Sequence, residues 1–289
     1  LARALKQIDP ARVQNLSRVE CDLSRPNDLK DTLMPILESN ETEFLINAGA
    51  YTQVDLAESQ PDLCTKMNTE SPIQMARLCK QAGIPFIHYS SDYVYGNNGA
   101  DSLTESSPTH PLNFYAKTKL EGDQGIQAEN GTALILRTSW VYDAYGKNFF
   151  TTMMNLFQQR ETLKVVSDQI GAPSYAPDLA WMTFHLSDQI RKVKGTEVIH
   201  LTNEGQMSWH QFAQLIFEEA RKHQLQGITR EILPILTSDW PTPAKRQLNS
   251  RLSLEKLKSR FGLKPRTVSE ALQECMKDYA VTRSPSYSP

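Results

Sequence analysis

Several features that often dominate a sequence are missing from this chain of 289 residues. Its formal net charge is -2 and no long run carries one sign of charge, which argues against nucleic acid or an anionic membrane surface as the main partner. No stretch approaches the roughly 20 consecutive apolar residues of a membrane-spanning helix. The cysteines, Cys21, Cys64, Cys79 and Cys275, are scattered, with no histidines at metal-ligand spacing. We therefore expect a cytoplasmic protein with reduced thiols, no metal site and a small-molecule substrate.

Glycine is also scarce near the beginning, where Gly49 is the first of 13 glycines. The chain contains no Gly-x-Gly-x-x-Gly and no Gly-x-x-Gly-x-x-Gly, although such a turn binds the pyrophosphate of a dinucleotide in doubly wound folds. Leu1 and Leu5 already have the spacing of a helix, with no capping residue ahead of them. We therefore expect about 10 to 20 further residues before Leu1, forming the first strand of the sheet and a glycine-rich turn.

The hydrophobic periodicity alternates between the helical and the extended repeat. Helices are predicted at 1–5, 28–37, 70–83, 113–130, 149–160, 177–193, 208–222 and 268–280, and strands at 13–19, 44–50, 85–89, 133–137 and 198–201. This order predicts an α/β fold, a Rossmann-like doubly wound parallel sheet lacking its first strand, followed by a smaller mixed α/β domain. The predicted domains are a dinucleotide-binding domain at 1–162 and 179–206, a substrate-binding domain at 163–178 and 207–283, and a flexible tail at 284–289.

The most informative pattern is Tyr115-Ala-Lys-Thr-Lys119. If a helix starts at Asn113, Tyr115 and Lys119 lie one turn apart on one face. The ammonium would then lower the pKa of Tyr115 from its ordinary value of about 10 and make the phenol a usable general acid. Ser91 lies just after the predicted strand 85–89, at the sheet edge where open α/β folds bind ligands, and can offer a hydroxyl to the same oxygen. The pattern predicts a carbonyl reductase; the alternative is a surface tyrosine and lysine on an ordinary amphipathic helix.

Six blocks, in this order, resemble the extended short-chain dehydrogenase/reductases, and within them the branch that reduces dTDP-linked 4-keto-6-deoxy sugars. The blocks are Asn47-Ala-Gly-Ala-Tyr-Thr-Gln-Val-Asp55, Tyr89-Ser-Ser-Asp-Tyr-Val-Tyr95, Asn113-Phe-Tyr-Ala-Lys-Thr-Lys-Leu-Glu121, Leu136-Arg-Thr-Ser-Trp-Val-Tyr142, Asp168-Gln-Ile-Gly-Ala-Pro173 and Thr242-Pro-Ala-Lys-Arg-Gln-Leu-Asn-Ser-Arg-Leu252. The resemblance covers nearly the whole chain. It implies reduction of the C4 ketone of dTDP-4-dehydro-L-rhamnose to dTDP-L-rhamnose by NADPH, with NADH as the alternative cofactor.

The resemblance also implies roles for five residues near the reacting carbon. Tyr115 is the proton donor to the C4 ketone, and Lys119 holds the nicotinamide ribose and lowers the pKa of Tyr115. Ser91 hydrogen-bonds the developing alkoxide, stabilising charge where it appears. Asp92 and Trp140 fall on substrate-contacting positions, the indole packing against the sugar. For Trp140, a core side chain at a strand end is the alternative.

A further set of residues matches cofactor-binding positions of the family. Ala50, Tyr51 and Thr52 correspond to the loop that covers the pyrophosphate and ribose. Asp22 and Leu23 correspond to the pair near the adenine. For Asp22, the role of a cap or turn residue before Pro26 fits nearly as well.

Basic residues near the expected phosphates allow two interpretations. Ser17 and Arg18 align with the end of the second strand, where a hydroxyl and a guanidinium suit the 2′-phosphate of NADPH, whereas a merely exposed arginine is the alternative. Lys245, Arg246 and Arg251 lie where cations meet a nucleotide diphosphate, or they are solvated surface residues.

Two other functions fit the same resemblance. An epimerase, or a reductase of a different 4-keto sugar, would use the same three residues. A non-catalytic subunit, like the relative that regulates methionine adenosyltransferase, is a more distant possibility, and intact Ser91, Tyr115 and Lys119 argue against it. A homodimer is compatible with the family.

Overall fold

A computed structural model of the chain describes residues 1–39, 41–96 and 99–282; the predicted tail at 284–289 lies outside them. The helices are α1 (Ala2–Ile8), α2 (Leu29–Leu37), α3 (Val54–Ala57), α4 (Pro61–Thr65), α5 (Ser71–Ala82), α6 (Phe114–Glu129), α7 (Phe149–Phe157), α8 (Ala176–Ser187), α9 (Trp209–Lys222), α10 (Glu255–Phe261) and α11 (Val268–Thr282). A π-helical turn, Lys66–Glu70, joins α4 to α5. None of the helices described is long and apolar enough to cross a membrane.

The strands are β1 (Leu45–Asn47), β2 (Phe86–Ser91), β3 (Ala133–Thr138), β4 (Val141–Tyr142), β5 (Thr162–Val166), β6 (Ile170–Gly171), β7 (Ser174–Tyr175), β8 (Thr196–His200), β9 (Met207–Ser208), β10 (Glu231–Ile235) and β11 (Asn249–Ser250). Four of them form a parallel sheet in the order β1-β2-β3-β8. Every residue of β2 and β3 is buried. Strands buried on both faces are expected of a parallel sheet with helices on each side.

Side chains of this sheet pack into two different cores, because successive residues of a strand point to opposite faces of the sheet. One core takes Phe86, Ile135 and Val198 from the sheet and packs them against apolar residues of α2, α5 and α6. The other takes Ile87 and Leu136 and packs them against apolar residues of α8 and α10. Helices on both faces of a parallel sheet confirm the predicted Rossmann-like α/β fold.

A third core lies in the later part of the chain. It joins Phe150 and Phe157 of α7, Phe212 of α9 and Cys275 of α11. Ser208 caps α9, accepting from the backbone N of Gln211 at 3.1 Å, as expected of a serine that opens a helix. Next to these helices β5 and β10 form a parallel pair, and β6 lies between β11 and β9.

The strand predicted at 13–19 is wrong. Residues 13–16 have no regular structure, and a turn follows in which the backbone N of Glu20 and of Cys21 donates to Ser17 O at 3.1 and 2.9 Å. A strand is stabilised by a ladder partner, and among the described residues none pairs with this segment. Val19, which alternation alone would place in a core, is 96% exposed. In the opposite direction, β10 forms at Glu231–Ile235, where no strand was predicted.

Helix α6 approaches the π-helical turn so closely that only glycine fits between them. A Cβ on Gly122 would lie 2.2 Å from the backbone O of Asn68. Asn68 is fully buried, and its side chain accepts from Tyr51 N at 2.9 Å and donates to Tyr51 O at 3.1 Å. The contact therefore connects α6 to the loop after β1.

We expect Gly122→Ala to destabilise the protein by about 2 kcal/mol or more, because the methyl group would displace backbone rather than a side chain. At a helical position with free space around it, Gly→Ala would instead stabilise the protein by about 1 kcal/mol. The sign of the change in the free energy of unfolding therefore tells whether the backbone of Asn68 is as close as described. Urea unfolding measures the difference, with Gln124→Ala on the exposed face of α6 as the control. A stabilised Gly122→Ala variant would contradict the close approach.

Candidate active site

Helix α6 presents the Tyr115 and Lys119 pair as the sequence predicts. Asn113 caps the helix, accepting from Ala116 N at 2.8 Å, and Asn130 ends it in the left-handed conformation. Tyr115 therefore stands in the first turn of the helix and Lys119 one turn later. Both lie beside the carboxyl end of β2, where Ser91 is the last residue.

The Ser91 hydroxyl lies next to the phenol of Tyr115. Its Oγ donates to Asp92 Oδ1 at 2.9 Å and accepts from Tyr93 N at 3.2 Å. Burial raises the pKa of Tyr115, and the hydrogen bond with Ser91 lowers it in part. The phenol is thus held in its protonated form, with a hydroxyl beside it.

Lys119 is 1% exposed, and the two groups that lie within hydrogen-bond distance of its Nζ are uncharged. Nζ donates to Tyr89 O at 2.7 Å and lies 3.1 Å from His88 Nε2. Burial lowers the pKa of Lys119 to about 8. The sequence predicted that Lys119 would lower the pKa of Tyr115, but the pKa of Tyr115 is raised. The reason is that desolvation of the phenol dominates, while Nζ bonds to His88 and Tyr89.

Asp92 is buried, and its carboxylate is held from two sides. Ser91 donates to Oδ1, and Gln247 Nε2 donates to Oδ2 at 2.8 Å and to Ser250 Oγ at 2.6 Å. Burial raises the pKa of Asp92 to about 6. Asp92 therefore orients the Ser91 hydroxyl in this structure. Gln247 was not predicted, and its only sequence signal is a place inside the Thr242 to Leu252 block.

The segment around Gln247 is bonded to the residues that surround the site. Arg246 Nη2 donates to Asp55 Oδ2 at 2.8 Å, and Asn113 Nδ2 donates to Lys245 O at 2.8 Å. Arg251 Nη1 donates to Asn249 Oδ1 at 3.0 Å, while Lys245 is exposed. Arg246 thus forms an ion pair with Asp55 across the molecule, a partner that the sequence did not predict.

Trp140 is strained and half-buried. Its φ is +48°, which is unusual for a bulky residue, and its ring stacks on Trp209 with centroids 3.6 Å apart. A Cβ on Gly171 would lie 2.8 Å from the indole, so this glycine leaves space for the ring. Strained residues cluster at functional sites, which supports the predicted sugar contact.

The predicted cofactor residues lie at the carboxyl end of β1 and in a neighbouring turn. Asn68 fixes the backbone of Tyr51, which is buried, whereas Ala50 is half-buried and Thr52 is exposed. Asp22 Oδ1 accepts from Ser24 N at 2.9 Å. This hydrogen bond is expected if Asp22 is a turn residue, which was the alternative to its place near the adenine. The adjacent Leu23 is buried in the core beneath α2 and α5.

Comparison with known proteins identifies the family. The model of the RmlD substrate binding domain matches residues 1–281. The chain belongs to this family. A dTDP-4-dehydrorhamnose reductase of Burkholderia thailandensis is 39% identical over 287 residues, 96% of this chain and 94% of the relative.

Solved structures agree with this assignment. A dTDP-4-dehydrorhamnose reductase from Clostridium acetobutylicum has a TM-score of 0.84 at 30% identity, covering 95% of this chain and 94% of that one. The Bacillus anthracis dTDP-4-dehydrorhamnose reductase, in complex with NADP, has a TM-score of 0.86 at 26% identity, covering 96% of this chain and 94% of that one. The predicted resemblance and fold are confirmed.

Behind the site of this RmlD family member, a buried polar chain joins three strand ends. Arg137 donates from Nε to Asp123 Oδ2 at 3.0 Å and from Nη1 to Tyr95 Oη at 2.8 Å. Tyr95 donates to His200 Nε2 at 2.6 Å, and His200 Nδ1 donates to Ser253 O at 3.1 Å. Burial lowers the pKa of His200 to about 3, so the folded ring is neutral.

This burial predicts a pH-dependent stability. Between pH 6.5 and about 3 the unfolded chain binds a proton at His200 that the folded protein excludes. The free energy of unfolding should therefore fall as the pH falls through this window, by up to about 1.4 kcal/mol per pH unit for this group. We expect His200→Asn to remove that contribution from urea unfolding measured between pH 7 and pH 4.5. Exposed His185, replaced by Asn, is the control. An unchanged slope in His200→Asn would mean that the folded protein binds the proton.

Proposed function

We propose that this chain reduces the C4 ketone of dTDP-4-dehydro-L-rhamnose to dTDP-L-rhamnose with NADPH. The observation that carries the proposal is the meeting of Ser91, Tyr115 and Lys119 at the carboxyl end of β2. Family membership supports the reaction, and the relatives named above are reductases of this sugar. The NADP complex of the Bacillus anthracis relative supports the cofactor.

In this proposal Tyr115 gives its proton to the C4 oxygen as hydride, supplied by the bound nicotinamide, reaches C4. Burial supports this role because it keeps the phenol protonated until the substrate oxygen becomes basic. Ser91 turns its hydroxyl proton from Asp92 to the developing alkoxide and stabilises the negative charge. Gln247 holds the Asp92 carboxylate in place while the hydroxyl moves.

The residues assigned to the cofactor follow the carboxyl end of β1, where open α/β folds bind ligands. Ala50 and Thr52 present accessible surface beside β1, and Asn68 keeps the intervening Tyr51 backbone fixed. Lys119, on α6 beside β2, is assigned the nicotinamide ribose. Asp22 and Leu23 remain the predicted adenine neighbours.

We also propose the division into a dinucleotide-binding domain, 1–162 and 179–206, and a substrate-binding domain, 163–178 and 207–283. Its support is that α9 and α11 of the second part belong to a core apart from the two cores of the sheet. Gln247 and Arg246 of the second part bond to Asp92 and Asp55 in the first. Trp140, against Trp209, is proposed to contact the sugar. A homodimer and a cytoplasmic location stay predictions.

We expect Tyr115→Phe to lower kcat by about 100-fold or more with KM nearly unchanged, because only the transferable proton is lost. The assay follows NADPH oxidation with a panel of dTDP-linked and other nucleotide-linked 4-keto-6-deoxy sugars. Tyr93→Phe is the matched control, since its ring packs edge-on against Tyr115 at 5.5 Å. Full turnover by Tyr115→Phe would exclude Tyr115 as the proton donor. A higher kcat/KM of the unsubstituted protein with another sugar of the panel would make that sugar the substrate instead.

Cofactor preference gives a separate prediction for Arg18, whose side chain is 74% exposed and 3.9 Å from Asp22. Arg18→Ala should reduce the preference for NADPH over NADH by about tenfold, because a charge-assisted contact to the 2′-phosphate is lost. Steady-state kinetics with both cofactors measures this. Arg25→Ala, equally exposed and 4.0 Å from Asp28, is the control. An equal loss with both cofactors would show that Arg18 does not recognise the phosphate.

A further inference from the structure

Trp209, the first residue of α9, is a half-buried indole to which the reaction described above gives no task. Its ring is nearly parallel to that of Trp140, with 11° between the planes and 3.6 Å between the centroids. It also lies 4.4 Å from the ring of Phe149, which stacks at 5.6 Å on Phe212. Phe212 is fully buried in the third core. A continuous row of aromatic rings therefore leads from that core to Trp140.

The backbone on both sides of Trp140 is fixed by one neighbouring segment. Ser174 N donates to Trp140 O at 3.1 Å, and Ser139 Oγ donates to Ala172 O at 2.8 Å. These bonds hold Trp140 at its φ of +48°, a conformation that a bulky residue keeps only where its surroundings impose it. They fix where the side chain begins but not how the ring is turned, because the indole can still rotate about its side-chain torsions.

The indole of Trp140 lies beside the contacts that lead to Asp92. A Cβ on Gly171 would lie 2.8 Å from Trp140 Cε2 and 3.0 Å from Ser250 Cβ. Ser250 Oγ accepts from Gln247 Nε2 at 2.6 Å, and the same nitrogen donates to Asp92 Oδ2 at 2.8 Å. The contacts of this chain alone thus place the indole near the reacting groups, with Gly171 at the edge of its six-membered ring.

We propose that Trp209 is a positioning residue for the sugar, which by stacking on one face of Trp140 turns the rest of the indole toward the 6-deoxy sugar. A surface that is already ordered binds more tightly than one that must be ordered by the ligand, because fixing a side chain on binding has an entropic cost. The inference rests on the proposed function, since it takes Trp140 as the sugar contact. It assigns Trp209 to the sugar and not to the nucleotide.

The first test observes the Trp140 ring in the whole protein without ligand. With 15N-labelled indoles, the four tryptophans give separate N–H signals, and that of Trp140 is assigned by its loss in Trp140→Phe. We expect Trp209→Leu to broaden or split this signal, because a ring without its stacked neighbour takes up several orientations. Trp181→Leu, which removes an exposed indole on α8, should leave it unchanged. A single sharp Trp140 signal in Trp209→Leu would refute the proposal.

The second test measures the affinities for dTDP-L-rhamnose and for dTDP by titration calorimetry with NADP+ present. We expect Trp209→Leu to weaken dTDP-L-rhamnose by about five- to tenfold and dTDP by less than about twofold. Trp209→Phe keeps an aromatic ring beside Trp140 and should recover most of the lost affinity. Equal weakening of both ligands would show a merely structural role, and an unchanged affinity for the sugar nucleotide would show no role. Either result overturns the proposal.

Gly171→Ala acts on the same indole from its edge and serves if Trp209→Leu does not fold. Its methyl group would lie 2.8 Å from the ring of Trp140, so the indole must move although Trp209 is unchanged. We expect the affinity for dTDP-L-rhamnose to fall by a similar factor and the affinity for dTDP to stay the same. Full affinity of Gly171→Ala for the sugar nucleotide would contradict a fixed position of the indole.

Failure of the proposed function is recognised separately. An unsubstituted protein that binds dTDP-L-rhamnose no more tightly than dTDP would contradict the assigned sugar, while the Trp140 signal still shows whether Trp209 holds the ring. A protein that forms dTDP-L-rhamnose, and binds it equally well with and without the indole of Trp209, would keep the assigned reaction and exclude the positioning role.

Discussion

Burial of a lysine against the central strand is the constraint on which this site depends. Lys119 is 1% exposed, and the atoms that bond to Nζ belong to uncharged groups, a backbone carbonyl and an imidazole. Removing an ammonium from water is costly unless it is paired, and the group responds by lowering its pKa. Its neighbours respond to the same desolvation, since His88 stays neutral and Tyr115 stays protonated. The protonation states of the site are thus set mainly by the dry environment between β2 and α6.

The site is also held together by contacts between distant parts of the chain. Gln247 bonds to Asp92, 155 residues earlier, and Asp92 accepts from Ser91. Arg246 pairs with Asp55, 191 residues earlier. A hydrogen bond to a buried carboxylate contributes more than a neutral one, and losing its donor leaves the charge unsatisfied. The later segment and the Ser91 hydroxyl are therefore held by the same carboxylate, that of Asp92.

Local patterns predicted the parts of the site that local physics determines. Asn113 and Asn130 mark the ends of α6 because a capping side chain and a left-handed residue have sequence preferences of their own. The apolar run before Ser91 predicts a strand buried on both faces. The pairing of Arg246 with Asp55 had no such signal, because nothing in the sequence links residues so far apart. The direction of the Tyr115 pKa was missed for a related reason: spacing places a cation near a phenol but does not measure how far both are desolvated.

The same desolvation bears on which reaction the three residues perform. An epimerase or dehydrogenase must first remove a proton from a sugar hydroxyl, and for this the tyrosine must be a phenolate supported by a nearby cation. Here the phenol has a raised pKa, its hydrogen-bonding neighbour is a hydroxyl, and the lysine is directed to His88 and Tyr89. Asp92, which accepts the hydrogen bond of Ser91, also has a raised pKa. The raised pKa of the phenol favours a site that donates a proton, and a ketone receiving hydride is a substrate that needs one.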